Sequence, residues 1–324
     1  MSVKEIAHFI ADDLQRVEDA IATHLASDVS FISDVGHYVL SSGGKRIRPV
    51  LLILCARLGN AVDNRVYDLS TVIEFLHTAT LLHDDVIDNA HLRRGNPTVN
   101  ARWGNQLSIL IGDYLYAKSM ELALADKDHL VMQTVSNVTT KMAKGQVIET
   151  LKERDLTIRE DEYYRIIALK TAALFEASCI IGALVAGFEP PQRAKIAAYG
   201  YHLGLAFQMA DDALDFSAPE DQLGKPVNND LKEGKVTLPI IAALQRTTPS
   251  EAETISLYVQ NADPSATDFQ AIIEIVNKYN TLQSTLDTAQ EHITQAKQQL
   301  SEFAASPALH TLHLLADYVI TRNV

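Results

Sequence analysis

The chain has 324 residues, 47% of them hydrophobic, with only 14 glycines and 10 prolines, enough apolar chain for a large core; a disordered or fibrous protein is excluded. A formal net charge of −13 leaves nothing to neutralise a phosphate backbone over a broad surface, so general nucleic-acid binding is excluded too. Two cysteines, Cys55 and Cys179, stand in apolar runs without CxxC spacing and read as buried thiols in a reducing compartment.

The first residues, MSVKEIAHFIADD, carry acids early and lack an apolar h-region, so no signal peptide is expected and the location is cytoplasmic. Asp12 and Asp13 read as acids on a helix surface. Phe75, Leu76, Ala79, Leu82 and Val86 follow a 3.6-residue spacing, and Leu107, Leu110, Ile111, Leu115 and Met120 follow it less cleanly. Thr157 with Glu160 forms a capping-box signature, predicting a helix start. The stretch 196–210 has no Asp, Glu, Lys or Arg but falls short of the roughly 20 apolar residues of a membrane helix, so no span is expected. Thr248-Pro249 with Glu251 predicts another helix start, as does Asp263-Pro264. Leu282, Leu286, Ala289, Ile293, Ala296 and Leu300 make one apolar stripe on an amphipathic helix. Breaks fall at 41–44, 89–97, 189–191, 217–229 and 246–250, none of them a long linker, and no run alternates as a strand would. The expectation is an all-helical protein with one domain over 1–324, the amphipathic helices from about 264 packing on the bundle.

Two segments carry the chemistry: LLHDDVIDNAHLRRG at 81–95 and FQMADDALDF at 207–216. Each holds an Asp-Asp-x-x-Asp, with Asp84, Asp85 and Asp88 in the first and Asp211, Asp212 and Asp215 in the second. Residues four apart share a helix face, so Asp84 stands over Asp88 and Asp211 over Asp215. Like charges so placed repel unless a cation lies between them. Two facing clusters suit a hard divalent cation, and Mg²⁺ bridges such carboxylates to substrate phosphates. Basic residues stand close by in sequence: Arg93 and Arg94 before Gly95, Lys45 and Arg48 in GGKRIRP, and single positives at Lys170, Lys225 and Lys235. Beside a cation-loaded carboxylate cage they suit a substrate with several phosphate oxygens. No GxxxxGK loop and no GxSxG elbow is present. Cations and guanidiniums on a diphosphate would stabilise charge developing on a leaving group, and departure from an allylic carbon leaves a carbocation that needs a dry pocket.

The ordered blocks GGKRIRP (43–49), LLHDDVIDNAHLRRG, GDYLY (112–116), KTAALFE (170–176), FQMADDALDF and GKPVNNDLKEGKVTLP (224–239) resemble the trans-polyprenyl diphosphate synthases, above all the octaprenyl-forming bacterial members of quinone biosynthesis. The resemblance implies the isoprenoid synthase fold, a single bundle of antiparallel helices around a central cavity. It implies condensation of an allylic diphosphate, farnesyl or geranylgeranyl, with successive isopentenyl diphosphates to all-trans-octaprenyl diphosphate, and a homodimer whose product is lipid-soluble. Asp84, Asp85, Asp88, Asp211, Asp212 and Asp215 would hold Mg²⁺, three ions with substrate bound. Arg93, Lys170, Thr171, Gln208, Lys225 and Lys235 would contact the allylic diphosphate, and Lys45, Arg48, His77 and Arg94 the isopentenyl diphosphate. Thr171 and Gln208 would steady the cation, with Gln146 in support. Where the family often shows GDD before the LxEGK block, this chain has Asn228-Asn229-Asp230, keeping the final aspartate, and the TRNV end keeps one arginine, Arg322.

In that family short-chain enzymes block the product tunnel with an aromatic residue five positions before the first aspartate cluster. Ala79 and Thr80 are small here, with Leu76 below them and Leu122 and Ala123 on a neighbouring helix. Ala79 lies roughly 7.5 Å above Asp84 along a helix axis. An open floor implies a product well beyond C15 or C20; the resemblance implies eight units, with seven, nine or a C20 product as alternatives. Other readings leave features unexplained. His83-Asp84 spells the doublet of HD phosphohydrolases but lacks their further histidines, cyclases usually lack GGKRIRP, and degenerate partner subunits tend to lose aspartates that are all kept here. Trp103 reads as packing, and His310 with His313 lacks an acidic ligand for a metal.

Overall fold

The computed structural model describes residues 9–41, 44–59, 63–217, 229–261 and 265–321. Within them the apolar periodicity resolves into helices: α1 Ala11–Leu25, α2 Ser30–Ser41, α3 Ile47–Leu58, α4 Arg65–Ile87, α5 Val99–Trp103, α6 Asn105–Ala125 and α7 His129–Leu151. There follow α8 Glu160–Ile167, a π-helical turn Ala168–Ala172, α9 Ala173–Val185, α10 Pro190–Ser217 and α11 Asn229–Glu233. The last are α12 Leu238–Leu244, α13 Pro249–Gln260, α14 Ala266–Lys278, α15 Thr281–Gln299 and α16 Pro307–Thr321. One antiparallel pair of two-residue strands, Leu92–Arg93 with Asn96–Pro97, closes a hairpin over Arg94 and Gly95. Both turn residues take positive φ, +53° and +76°, which glycine accommodates freely.

Two apolar clusters organise the packing. One gathers Val72, Ile73 and Leu76 of α4, Leu115 of α6 and Val135 of α7. The other gathers Leu203 of α10, Ile293 of α15 and Leu312 of α16. Helices α3 and α9 serve both. Leu51 and Leu54 of α3 face the second cluster while Leu52 and Ile53 face the first, and Cys179 and Ile181 of α9 divide in the same way. Apolar residues on every side are what a helix buried in the middle of a fold requires. Both cysteines lie here, buried and unbridged.

Several expectations shift. The helix foreseen at Thr157 begins at Glu160 instead, because Thr157 turns its N–H and hydroxyl to the Asp155 carboxylate while the Arg159 N–H donates to Glu162 at 3.1 Å. Asp13 is 3% exposed, accepting from the Tyr67 hydroxyl and paired with Arg57 at 2.6 Å, so it is a buried brace. Leu110 is 53% exposed, off the buried face of α6. The run Glu160–Val185 is long and apolar enough to cross a membrane, but 67% of that window is buried against other helices, the setting of a core helix. The cap at Thr248 is present as expected. Of the α15 stripe Ala289, Ile293, Ala296 and Leu300 are fully buried, whereas Leu282 and Leu286 are half-buried and Thr281 and Thr285 take the buried positions. The start at Asp263-Pro264 lies outside the described residues.

Candidate active site

Both aspartate clusters sit toward helix C-terminal ends, the first at that of α4 and the second at that of α10. Asp84 and Asp85 lie in the last turn of α4 and Asp88 caps it. Asp85 accepts from the Arg93 guanidinium at 2.7 Å, so the hairpin after α4 is tied back onto the cluster. Burial, with the like charge of Asp88, pushes the Asp84 carboxyl above its ordinary value, and the ammonium of Lys170 opposes the rise. Burial likewise raises Asp85 against the pull of Arg93.

The π-helical turn joins the two clusters. It places Lys170 and Thr171 side by side, and its wider coil is admitted by two glycines. A Cβ on Gly145 of α7 would lie 2.7 Å from the Lys170 amide nitrogen, and one on Gly204 of α10 would lie 2.5 Å from the Ala172 Cα. From this turn Lys170 reaches Asp84 at 3.6 Å and donates to Glu149 of α7. The Thr171 hydroxyl donates to the Gln208 carbonyl oxygen at 2.8 Å, and the Gln208 amide donates to Asp212 at 2.7 Å. Tyr163 of α8 completes the set, its hydroxyl donating to Asp212 at 2.6 Å. Asp212 is buried, and burial with the charges of Asp230 and Asp211 raises its pKa well above the ordinary value.

A second link runs through the segment after the second cluster. The Asp230 N–H donates to Asp215 at 3.2 Å, the Lys235 N–H donates to the Asp230 carbonyl at 2.8 Å, and the Lys235 ammonium donates to Asp88 at 2.9 Å and Glu233 at 2.7 Å. Burial works against the charge on Lys235, but Glu233, Glu149, Asp88 and Asp230 outweigh it and hold the ammonium well above the usual lysine range. Asp230, the acid kept after Asn228 and Asn229, thus connects the second cluster to the first.

A second group of basic residues surrounds His77, half-buried in the middle of α4. Burial and the charges of Arg48, Arg94, Arg93 and Arg46 push its pKa well below the usual histidine value, so the imidazole is neutral at neutral pH. The Arg48 guanidinium lies 4.8 Å from the centre of the Phe175 ring, and the Lys45 ammonium lies 5.1 Å from that of Tyr318. Arg94 approaches Gly44 so closely that a Cβ there would lie 3.0 Å from the guanidinium. Arg46 stands apart from this group: it binds Glu18 at 2.7 Å, Glu74 at 2.5 Å and the Leu40 carbonyl, a brace that holds the start of α3.

Above Asp84, Leu76 and Ala79 are buried in the α4–α6 core beside Ala123, with Thr80 and Leu122 half-buried. The Thr80 hydroxyl donates to the His77 carbonyl at 2.8 Å. Lys225, Asn228 and Arg322 lie outside the described residues. Sequence reasoning missed Glu149, Tyr163, Glu233 and the bridging part of Asp230. Only the Glu-Gly-Lys of 233–235 marked one of them, and nothing local marks a tyrosine that bonds across to another helix.

The comparisons with known proteins agree with this geometry. The model of the polyprenyl synthetase family matches residues 29–276. The chain belongs to that family. It is an all-α bundle of the isoprenoid synthase type and a trans-prenyltransferase that condenses isopentenyl diphosphate with an allylic diphosphate. It is 36% identical to octaprenyl diphosphate synthase of Escherichia coli over 323 residues, spanning 100% of both chains. It is 31% identical to heptaprenyl diphosphate synthase component 2 of Bacillus subtilis, over 100% of this chain and 92% of that one. A polyprenyl synthase from Caulobacter crescentus, solved in complex with calcium and isoprenyl diphosphate, superposes with a TM-score of 0.96 at 35% identity, over 100% of this chain and 98% of that one.

Proposed function

We propose that this polyprenyl synthetase makes all-trans-octaprenyl diphosphate for a quinone side chain, acting as a cytoplasmic, Mg²⁺-dependent homodimer folded as one domain. The observation that carries the reading is the double connection between the aspartate clusters, through Lys170, Thr171 and Gln208 on one side and Lys235 and Asp230 on the other.

The donor set fits a hard divalent cation. Asp84, Asp88, Asp211 and Asp215 offer carboxylate oxygens, and among the described residues no three His, Cys, Asp or Glu close on a point by themselves. Ligand sets of that kind are completed by water and substrate phosphate oxygens. When bound, Mg²⁺ supplies Lewis-acid stabilisation of the negative charge on the departing diphosphate. The calcium and isoprenyl diphosphate in the Caulobacter structure support this reading.

The chain's own side chains do the remaining work. Lys170, Lys235 and Arg93, with Lys225, bind the allylic diphosphate, and electrons of the breaking carbon–oxygen bond pass to its oxygen. Neutral His77 donates a hydrogen bond to the isopentenyl diphosphate, whose charge is met by Lys45, Arg48 and Arg94. The oxygen dipoles of Thr171 and Gln208 face the cationic carbon. Gln146, one turn before Glu149 on α7, has both amide atoms buried with no partner among the described residues, and the substrate completes its bonding. The isopentenyl double bond forms the new carbon–carbon bond, and the resulting tertiary cation loses a proton to the released diphosphate. The small side chain of Ala79 supports a path for the growing tail along α4. The E. coli octaprenyl relative supports the chain length.

Purified protein incubated with farnesyl diphosphate, labelled isopentenyl diphosphate and Mg²⁺ is expected to extend the label into a C40 product, with incorporation lost in EDTA. EDTA-insensitive incorporation, or none with folded protein and metal present, would contradict the reading.

A further inference from the structure

Three cations of the candidate site are already held by carboxylates of the first cluster, and two of them are shared with acids outside either aspartate motif. Lys170 lies between Asp84 and Glu149, and Lys235 lies between Asp88 and Glu233. These are not surface ion pairs, since the side chains of Lys235, Asp88 and Glu233 are 16%, 13% and 17% exposed. An ammonium 2.9 Å from one carboxylate and 2.7 Å from another stands in the place, and carries the sign, of a metal cation.

The arrangement has a thermodynamic consequence. A metal on Asp88 competes with the Lys235 ammonium, bonded to Oδ2, for a single carboxylate charge, and a largely buried ammonium that loses that partner is costly. Glu233 is the partner that remains, as Glu149 is for Lys170. A diphosphate removes the conflict altogether, because its oxygens take the displaced ammoniums while the metal takes the aspartates.

We propose that Lys170 and Lys235 are internal counter-ions of the metal site, and that Glu149 and Glu233 are positioning residues that hold each ammonium once its aspartate is claimed. Metal and diphosphate therefore bind cooperatively, each raising the affinity for the other by the same factor. The cation alone binds weakly, which guards the site against filling without substrate. This rests on the reading of Asp84 and Asp88 as metal ligands.

The test is Mn²⁺ binding to the substrate-free protein, read from the electron paramagnetic resonance signal of free Mn²⁺, with folding checked by circular dichroism. Lys235→Met is expected to bind Mn²⁺ about tenfold or more tightly than the parent protein, by analogy with the coupling of close charge pairs. Glu233→Gln is expected to bind it more weakly, because the displaced ammonium then has no second acceptor. Lys232→Met removes the same charge from an exposed position next to Glu233 and is expected to leave the affinity unchanged. Lys170→Met and Glu149→Gln repeat the pattern at the other bridge should a first variant fail to fold. Equal gains from Lys235→Met and Lys232→Met, or tighter binding by Glu233→Gln, would overturn the proposal. Equilibrium dialysis against labelled pyrophosphate separates the two failures. Retention that requires Mg²⁺, with the Lys235→Met and Lys232→Met affinities equal, sinks the counter-ion proposal alone. No retention with Mg²⁺ sinks the metal-site reading and this proposal with it.

Discussion

At the scale of single residues, the carboxylates of the first cluster each meet a cation: Asp84 meets Lys170, Asp85 Arg93 and Asp88 Lys235. Asp84 shows why the conservative change is informative. Asn keeps the shape but loses the charge that a divalent cation and Lys170 both require. Asp84→Asn is therefore expected to lower kcat/KM about a thousandfold without loss of helix content. Steady-state kinetics beside circular dichroism checks this, and a loss under tenfold would remove Asp84 from the metal set. The two aspartate clusters stood out in the sequence through their repeated spacing after an apolar run, while the bonds that Asp85, Asp212 and Asp215 make did not. Nor did Glu149 and Tyr163, since their partners Lys170 and Asp212 meet them only once the helices pack. Asp13 was misplaced for the same reason: it stands beside Asp12 in sequence, while Arg57 and Tyr67, which brace it, come from α3 and α4.

At the scale of elements, the π-helical turn at Ala168–Ala172 is the part on which the site depends most. π-turns cost hydrogen-bond geometry and recur at functional positions. Here the turn carries Lys170 and Thr171 toward different clusters, and the contacts at Gly145 and Gly204 leave it no room to move. Gly145→Ala would set a methyl 2.7 Å from the Lys170 amide nitrogen and force the turn aside. The expected cost is about 1–3 kcal/mol in denaturant unfolding, with kcat falling while KM for isopentenyl diphosphate holds. An unchanged kcat would show that the turn tolerates displacement. The helices themselves were legible from periodicity, but the π-turn was not, because one extra residue per turn leaves no mark in an apolar pattern this dense. The short hairpin at Leu92–Pro97 escaped as well, being too brief to alternate.

At the scale of the whole molecule, α3 and α9 tie the two apolar clusters together. The long α10–α15 contact carries a titrating pair outside the site: the Nδ1 atoms of His202 and His292 lie 3.0 Å apart. Burial, then the neighbouring His202, holds His292 at about 4 against an ordinary 6.5. As pH falls the unfolded chain takes up this proton first, so stability is complete above about 6.5 and declines toward pH 4. The expected loss from this group is about 1 kcal/mol at pH 5, allowing for solvent screening. Chemical unfolding at pH 7 and pH 5 should show a shallower decline for His292→Gln, and equal declines would exclude the pair. Helix α6 exposes Ile109, Leu110, Tyr116 and Leu124, and the homodimer proposed above would cover this apolar face. Leu110→Glu is expected to halve the mass seen by light scattering, whereas a parent protein already monomeric would refute the dimer.

Product length tests the account most directly, because it requires the metal site, both diphosphate sites and the space above Asp84 to work together. The parent protein and Ala79→Phe, given farnesyl diphosphate, labelled isopentenyl diphosphate and Mg²⁺, should be compared by the chain length of their dephosphorylated products. The account predicts a dominant C40 product from the parent and a shift to C20 or shorter from the variant. A parent product ending at C20, or a variant whose product is unchanged, would contradict the path proposed for the growing chain.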